Sequence, residues 1–197
     1  MPSSNKCPMA RRRNGAIFSA FAVLVVALLC AGVTAGVHHG LAGAFEQSDL
    51  ALDEAKGGAQ RKLLFPDATS FESQSAPAVE GLNSVYKADT GAWVFDVTSA
   101  QGYHGDVELM VGINADGTVA GIQVVAEDET DGIGTNALTE EYFGGFAGAT
   151  AAGELTVDDA GAGQTHVDAV SGATFTSRAV VDCLNIAFAA YAQMGGN

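Results

Sequence analysis

Between Ala16 and Val37 the chain runs AIFSAFAVLVVALLCAGVTAGV, 22 residues without a charge. A helix of about 20 residues crosses the hydrocarbon core of a bilayer, so this stretch is long enough to span and cannot belong to an exposed surface. Lys6, Arg11, Arg12 and Arg13 precede it, and the next basic residue is Lys56. That asymmetry keeps the basic end cytoplasmic and sends the rest of the chain outside. The alternative is a cleaved signal peptide, with Ala31, Thr34 and Ala35 as small residues for cleavage, although the run exceeds the usual h-region of about 7–15 residues. The sequence therefore divides into a cytoplasmic basic end (1–15), an anchor (16–37), a juxtamembrane stalk and connection (38–90) and one folded domain (91–197), in the inner or plasma membrane with the domain extracytoplasmic.

Charge narrows the partners. From Glu46 onward five basic residues face all 23 acidic ones, a net of −18. Such a field repels phosphates and anionic headgroups, which excludes nucleic acid as a partner and docking on lipid by charge. Cys7, Cys30 and Cys183 fall in three different compartments on this topology, so no disulfide scaffold is expected and the domain must be held by its core.

The region from Ala42 to Lys62 reads as a broken juxtamembrane helix interrupted at Gly57-Gly58, and Pro66 closes it. Residues 65–84 are rich in loop formers, and the first strand is expected near Ala92–Thr98. A hairpin follows. Val107, Leu109, Val111 and Ile113 alternate with more polar neighbours, Asn114–Gly117 supply a turn, and Ala120, Ile122, Val124 and Ala126 alternate again. Glu129–Gly134 is a glycine-containing loop, and a short helix is expected near Leu138–Phe146. Val180, Cys183, Leu184, Ala187, Phe188 and Tyr191 then mark one apolar face of a helix, with Asp182 and Asn185 on the other. The fold class is α+β, an antiparallel sheet with a C-terminal helix behind a single transmembrane segment.

Directly before that helix stands Asp168-Ala169-Val170-Ser171-Gly172-Ala173-Thr174, continued by Phe175-Thr176-Ser177-Arg178. Ser171, Thr174, Thr176 and Ser177 are all eligible N-caps, and a helix start offers backbone N–H groups to an anionic phosphate. Gly172 and Ala173 leave room for a ligand near the backbone. An ordinary capped helix after a turn is the alternative reading of the same residues.

The heptad DAVSGAT resembles the flavinylation motif of the FMN-binding domain family. The blocks Gly102-Tyr103-His104-Gly105, Val111-Gly112-Ile113 and Glu129-Thr130-Asp131-Gly132-Ile133-Gly134 are similar to three further blocks of that family, in the same order. Upstream, LLFPDATSF from Leu63 to Phe71 is similar to the segment after the anchor in G subunits of Rnf-type electron transport complexes. The loop departs from the family in having Asp131 and Ile133 where Pro and Leu are common. The resemblance implies FMN joined to Thr174 through a phosphoester, with Ser171, Gly172, Ala173, Asp168, Glu129, Thr130 and Gly132 as companion cofactor-binding residues and no catalytic or metal-binding residue. It also implies an FAD-dependent flavin transferase for maturation and further subunits of a membrane complex as partners. The chain would be an electron-transfer subunit of an ion-translocating ferredoxin:NAD oxidoreductase, not an enzyme alone. The alternatives are the C subunit of a sodium-pumping quinone reductase, a stand-alone extracytoplasmic FMN carrier, or a non-redox anchored binding module.

Overall fold

The computed structural model describes residues 57–195, and the expected anchor, Ala16–Val37, lies outside them. No helix among the described residues is long and apolar enough to cross a membrane. The described chain forms α1 (Gly58–Leu64), five strands β1 (Phe71–Gln74), β2 (Leu82–Ala88), β3 (Trp93–Ser99), β4 (Val107–Ile113) and β5 (Val119–Ala126), a 3-10 turn at Gly134–Ala137, α2 (Glu140–Gly144), the short strands β6 (Glu154–Thr156) and β7 (Gln164–His166), and α3 (Thr174–Gln193).

The five strands make one sheet in chain order, with every neighbouring pair antiparallel, so short turns suffice to connect them. β6 and β7 form a separate parallel pair. On β4 the odd-numbered residues Val107, Leu109, Val111 and Ile113 face the main core, where Phe95, Val97, Leu184 and Phe188 join them. α3 covers that face with the predicted stripe, since Val180, Cys183, Leu184, Ala187, Phe188 and Tyr191 are all buried.

The second face of the sheet is covered as well. Met110, Tyr86 and Val94 pack there with Leu64 and Phe65 at the end of α1. The buried guanidinium of Arg61 lies 4.0 Å from the centre of the Tyr86 ring, a cation–π contact that carries a charge into an aromatic setting.

Two expectations need correction. The loop-like region holds β1 and the start of β2. β2 hides its period because the register slips between Leu82 and Ser84, so Leu82 and Val85, three apart, both reach the main core. In β5 the alternation holds at Ile122 and Val124 but not at its start. The register shifts opposite Gly112 and Ile113, which puts Val119 rather than Ala120 on the same face as Ile122.

Candidate functional site

Three connecting segments frame the start of α3. β3 and β4 are joined by the 100–106 loop, β5 runs into the 127–134 loop, and residues 167–173 lead into the helix. These three segments meet at a cavity of about 360 Å³ lined by Tyr103, Thr130, Ile133, Gly134, the backbone turn Gly172–Ala173, and the first residues of α3, Thr174–Thr176. Ligand sites commonly occupy about 300–1,000 Å³.

Among the described residues, three of the four exposed large hydrophobic side chains stand at this mouth: Tyr103 at 63%, Ile133 at 54% and Phe175 at 52% exposure. The rings of Tyr103 and Phe175 are 5.7 Å apart between centroids and tilted by 46°. Single exposed apolar residues are ordinary, whereas three gathered at one concavity are what a flat apolar ligand would cover.

The helix start adds a polar end to the same cavity. The residue before α3 is Ala173, no side chain caps the helix, and its first turn holds no acid. Its leading backbone N–H groups, with the positive end of the helix dipole, are therefore free to receive an anion. Gly172 has φ of +82°, a conformation that side chains rarely adopt, and a Cβ placed there would meet nothing within 4 Å, so the turn keeps open space beside the backbone.

The hydroxyls of this segment differ sharply. Thr176 is 1% exposed and donates to Glu129 Oε2 at 2.7 Å. Ser177 is fully buried; its Oγ donates to the Ala173 carbonyl and accepts from the Val170 N–H, both at 3.0 Å. Thr174 alone of the three is exposed.

Glu129 stands behind the cavity wall and ties the 100–106 and 127–134 loops to the first turn of α3. Its Oε1 accepts from the backbone N–H of Tyr103 at 2.7 Å and of His104 at 3.3 Å, while Oε2 takes the Thr176 hydroxyl. Gly134 is required at the same point. A Cβ there would fall 2.2 Å from Glu129 Oε2 and 3.0 Å from Thr176 Oγ1.

Of the residues singled out from the sequence, Thr130, Gly172, Ala173 and Thr174 line the cavity and Glu129 braces it. Gly132 shapes the loop, donating its N–H to Thr135 Oγ1 at 2.9 Å and accepting from Asn136 Nδ2 at 2.9 Å. Ser171 is exposed outside the lining. Asp168 instead borders a larger cavity of about 720 Å³ with Tyr142, Phe146, Leu155, Val167 and Val170, and sits 3.5 Å from His166 Nε2. Burial there holds the Tyr142 hydroxyl above its ordinary pKa. Arg178, one turn beyond Thr174, pairs with Asp158 at 2.5 Å and lies 5.8 Å from the Phe175 ring centre. The reading of companion residues missed Phe175 and Thr176, whose roles depend on which side of the helix start each one faces. An aromatic between glycines, as in Gly102-Tyr103-His104-Gly105, was the available signal for Tyr103.

Residues 102–189 match the FMN-binding domain family. The chain is 31% identical over 187 residues to the G subunit of the ion-translocating oxidoreductase complex of Pseudoalteromonas atlantica, covering 87% of this chain and 84% of that one. It is 27% identical over 190 residues to the G subunit of the Na(+)-translocating ferredoxin:NAD(+) oxidoreductase complex of Acetobacterium woodii, covering 87% and 89%. A match of 34% over 123 residues to the G subunit of the proton-translocating ferredoxin:NAD(+) oxidoreductase complex of Clostridium ljungdahlii covers 60% and 63%. With an FMN-binding domain and relatives aligned over most of their length, the chain belongs to the family of G subunits of ion-translocating oxidoreductase complexes.

Proposed function

We propose that this chain is a membrane-anchored flavoprotein that carries FMN on Thr174 and relays electrons within an ion-translocating ferredoxin:NAD oxidoreductase complex. The observation that carries the reading is the exposed Thr174 hydroxyl at an uncapped helix start, facing a cavity whose mouth is Tyr103, Ile133 and Phe175. The residues fit the cofactor at both ends: apolar surface for a flat ring, and backbone N–H groups for a phosphate. When bound, FMN supplies one- and two-electron redox chemistry, and the protein supplies position and electrostatics.

Attachment transfers the FMN moiety from FAD with the help of a flavin transferase. Thr174 Oγ bonds to the phosphorus on the riboflavin side, the bond from that phosphorus to the oxygen bridging to AMP breaks, AMP leaves, and the hydroxyl proton passes to base. A covalent tether answers the electrostatics of the domain. No Lys or Arg stands between Lys87 and Arg178, and Glu127, Asp128 and Asp131 are exposed beside the cavity loop. Such a field opposes a free phosphate, so a link that does not depend on binding strength keeps the cofactor in place. Tyr103 and Phe175 then need only orient the ring.

In this reading residues 16–37 anchor the chain, 1–15 stay cytoplasmic, and the remaining subunits of the complex supply the other redox centres. The later part of the 38–90 connection merges into the domain, since β1 and β2 share its sheet. The test is mass spectrometry of the full chain coexpressed with a flavin transferase. Its mass should rise by FMN less one water, and peptide mapping should put the flavin on Thr174. An unmodified chain, or flavin on Thr176 or Ser177, would refute the assignment.

A further inference from the structure

We infer that Glu129 is the positioning residue that selects Thr174 for modification, a conclusion that rests on the reading of Thr174 as the attachment point. Three hydroxyls lie within four residues, and all would be available on an isolated helix start. The fold withdraws two of them. Ser177 is spent on the backbone of residues 170 and 173, which its own turn provides. Thr176 is different, because its partner comes from 47 residues away.

The carboxylate is matched to that task. Its three partners are all donors, two backbone N–H groups and one hydroxyl, so both oxygens are engaged without a cation. Glu129 is 9% exposed, and two of the residues it holds, Tyr103 and Thr176, border the cavity from different segments. One side chain thus turns Thr176 inward, leaves Thr174 outward, and holds the backbone of Tyr103 where its ring meets Phe175. Gly134 keeps the space the carboxylate occupies.

The experiment uses the full chain in detergent, prepared with and without flavin transferase, as wild type, Glu129→Ala, Glu129→Gln and Gly134→Ala. Hydrogen exchange is read on the flavin-free chains. Removing the acceptor strands the Tyr103 and His104 N–H groups, and exchange there should quicken by about tenfold in Glu129→Ala while β4 and the second half of α3 stay protected. Gln retains an acceptor for the backbone and a donor for the Thr176 hydroxyl, so Glu129→Gln should restore slow exchange. On the flavin-loaded chains, Glu129→Ala should lower modification at Thr174 and admit it at Thr176, and Glu129→Gln should return it to Thr174. Wild-type exchange at Tyr103 and His104 in Glu129→Ala, or wild-type yield confined to Thr174, would overturn the inference. Should Glu129→Ala fail to fold, Gly134→Ala, whose Cβ would fall 2.2 Å from Oε2 and push the carboxylate off its donors, must quicken exchange at Tyr103 and His104; unchanged exchange there overturns the inference equally. If the wild-type chain takes up no covalent flavin, the attachment reading fails, and the exchange measurements still decide whether Glu129 positions the loop.

Discussion

The role proposed for Thr174 separates chemistry from stability. The side chain makes no capping bond to the start of α3, so losing it removes no helix cap. Thr174→Ala should therefore abolish covalent flavin while costing less than the roughly 1 kcal/mol of a lost N-cap, read as an unshifted circular dichroism melt. Leu184 is the contrasting residue, fully buried in the main core beneath the same helix. Leu184→Ala should destabilise the domain by about 2–5 kcal/mol, with flavin loss following only from unfolding. A Thr174→Ala chain that retained covalent flavin, or that melted like Leu184→Ala, would contradict the separation. The position of the SGAT stretch at a helix entrance was legible in the sequence, but the three hydroxyls of Thr174, Thr176 and Ser177 were equivalent there. Burial and long-range bonding made them different.

Elements carry the site by their ends. α3 packs along one face on β3 and β4, while its polar side is not idle: Asp182 accepts from Ser99 Oγ at 2.6 Å, and Asn185 holds the Leu155 backbone with two bonds of 2.8 and 2.9 Å. The face of β4 away from α3 brings Glu108 near Asp96, with Asn83 Nδ2 between them at 3.4 and 3.2 Å. Burial first, and then the charge of Asp96, raise the Glu108 pKa above its ordinary 4.5. The native state therefore holds more protons at this residue than the unfolded chain does over the window that opens near 4.5, and stability must fall as pH rises through the raised native value. Glu108→Gln should flatten that part of the decline, measured as melting temperature across about pH 4 to 8. An unchanged slope would show that Glu108 does not set it. This pairing was hidden because β2, β3 and β4 had to be in register before the two carboxylates met.

For the molecule as a whole, the sheet and its covering helices form the platform, and the net charge of −14 shapes what approaches it. The topology proposed from the basic end and the apolar run is tested by reporters fused after Asn197. One that works only outside the cytoplasm should be active, and full activity of a strictly cytoplasmic reporter would reverse the orientation. The amino-acid sequence by itself determined the apolar stripe of α3, the β4–β5 hairpin and the place of Thr174 at a helix entrance, because each is a local period or a contiguous motif. Only the tertiary structure decided that β1 and β2 join the sheet, that α1 closes its second face, and that Glu129 reaches Tyr103 across 26 residues and Thr176 across 47. A bulge erased the period of β2 and another shifted the start of β5, and a bond between distant residues exists only after the sheet has brought their loops to one end.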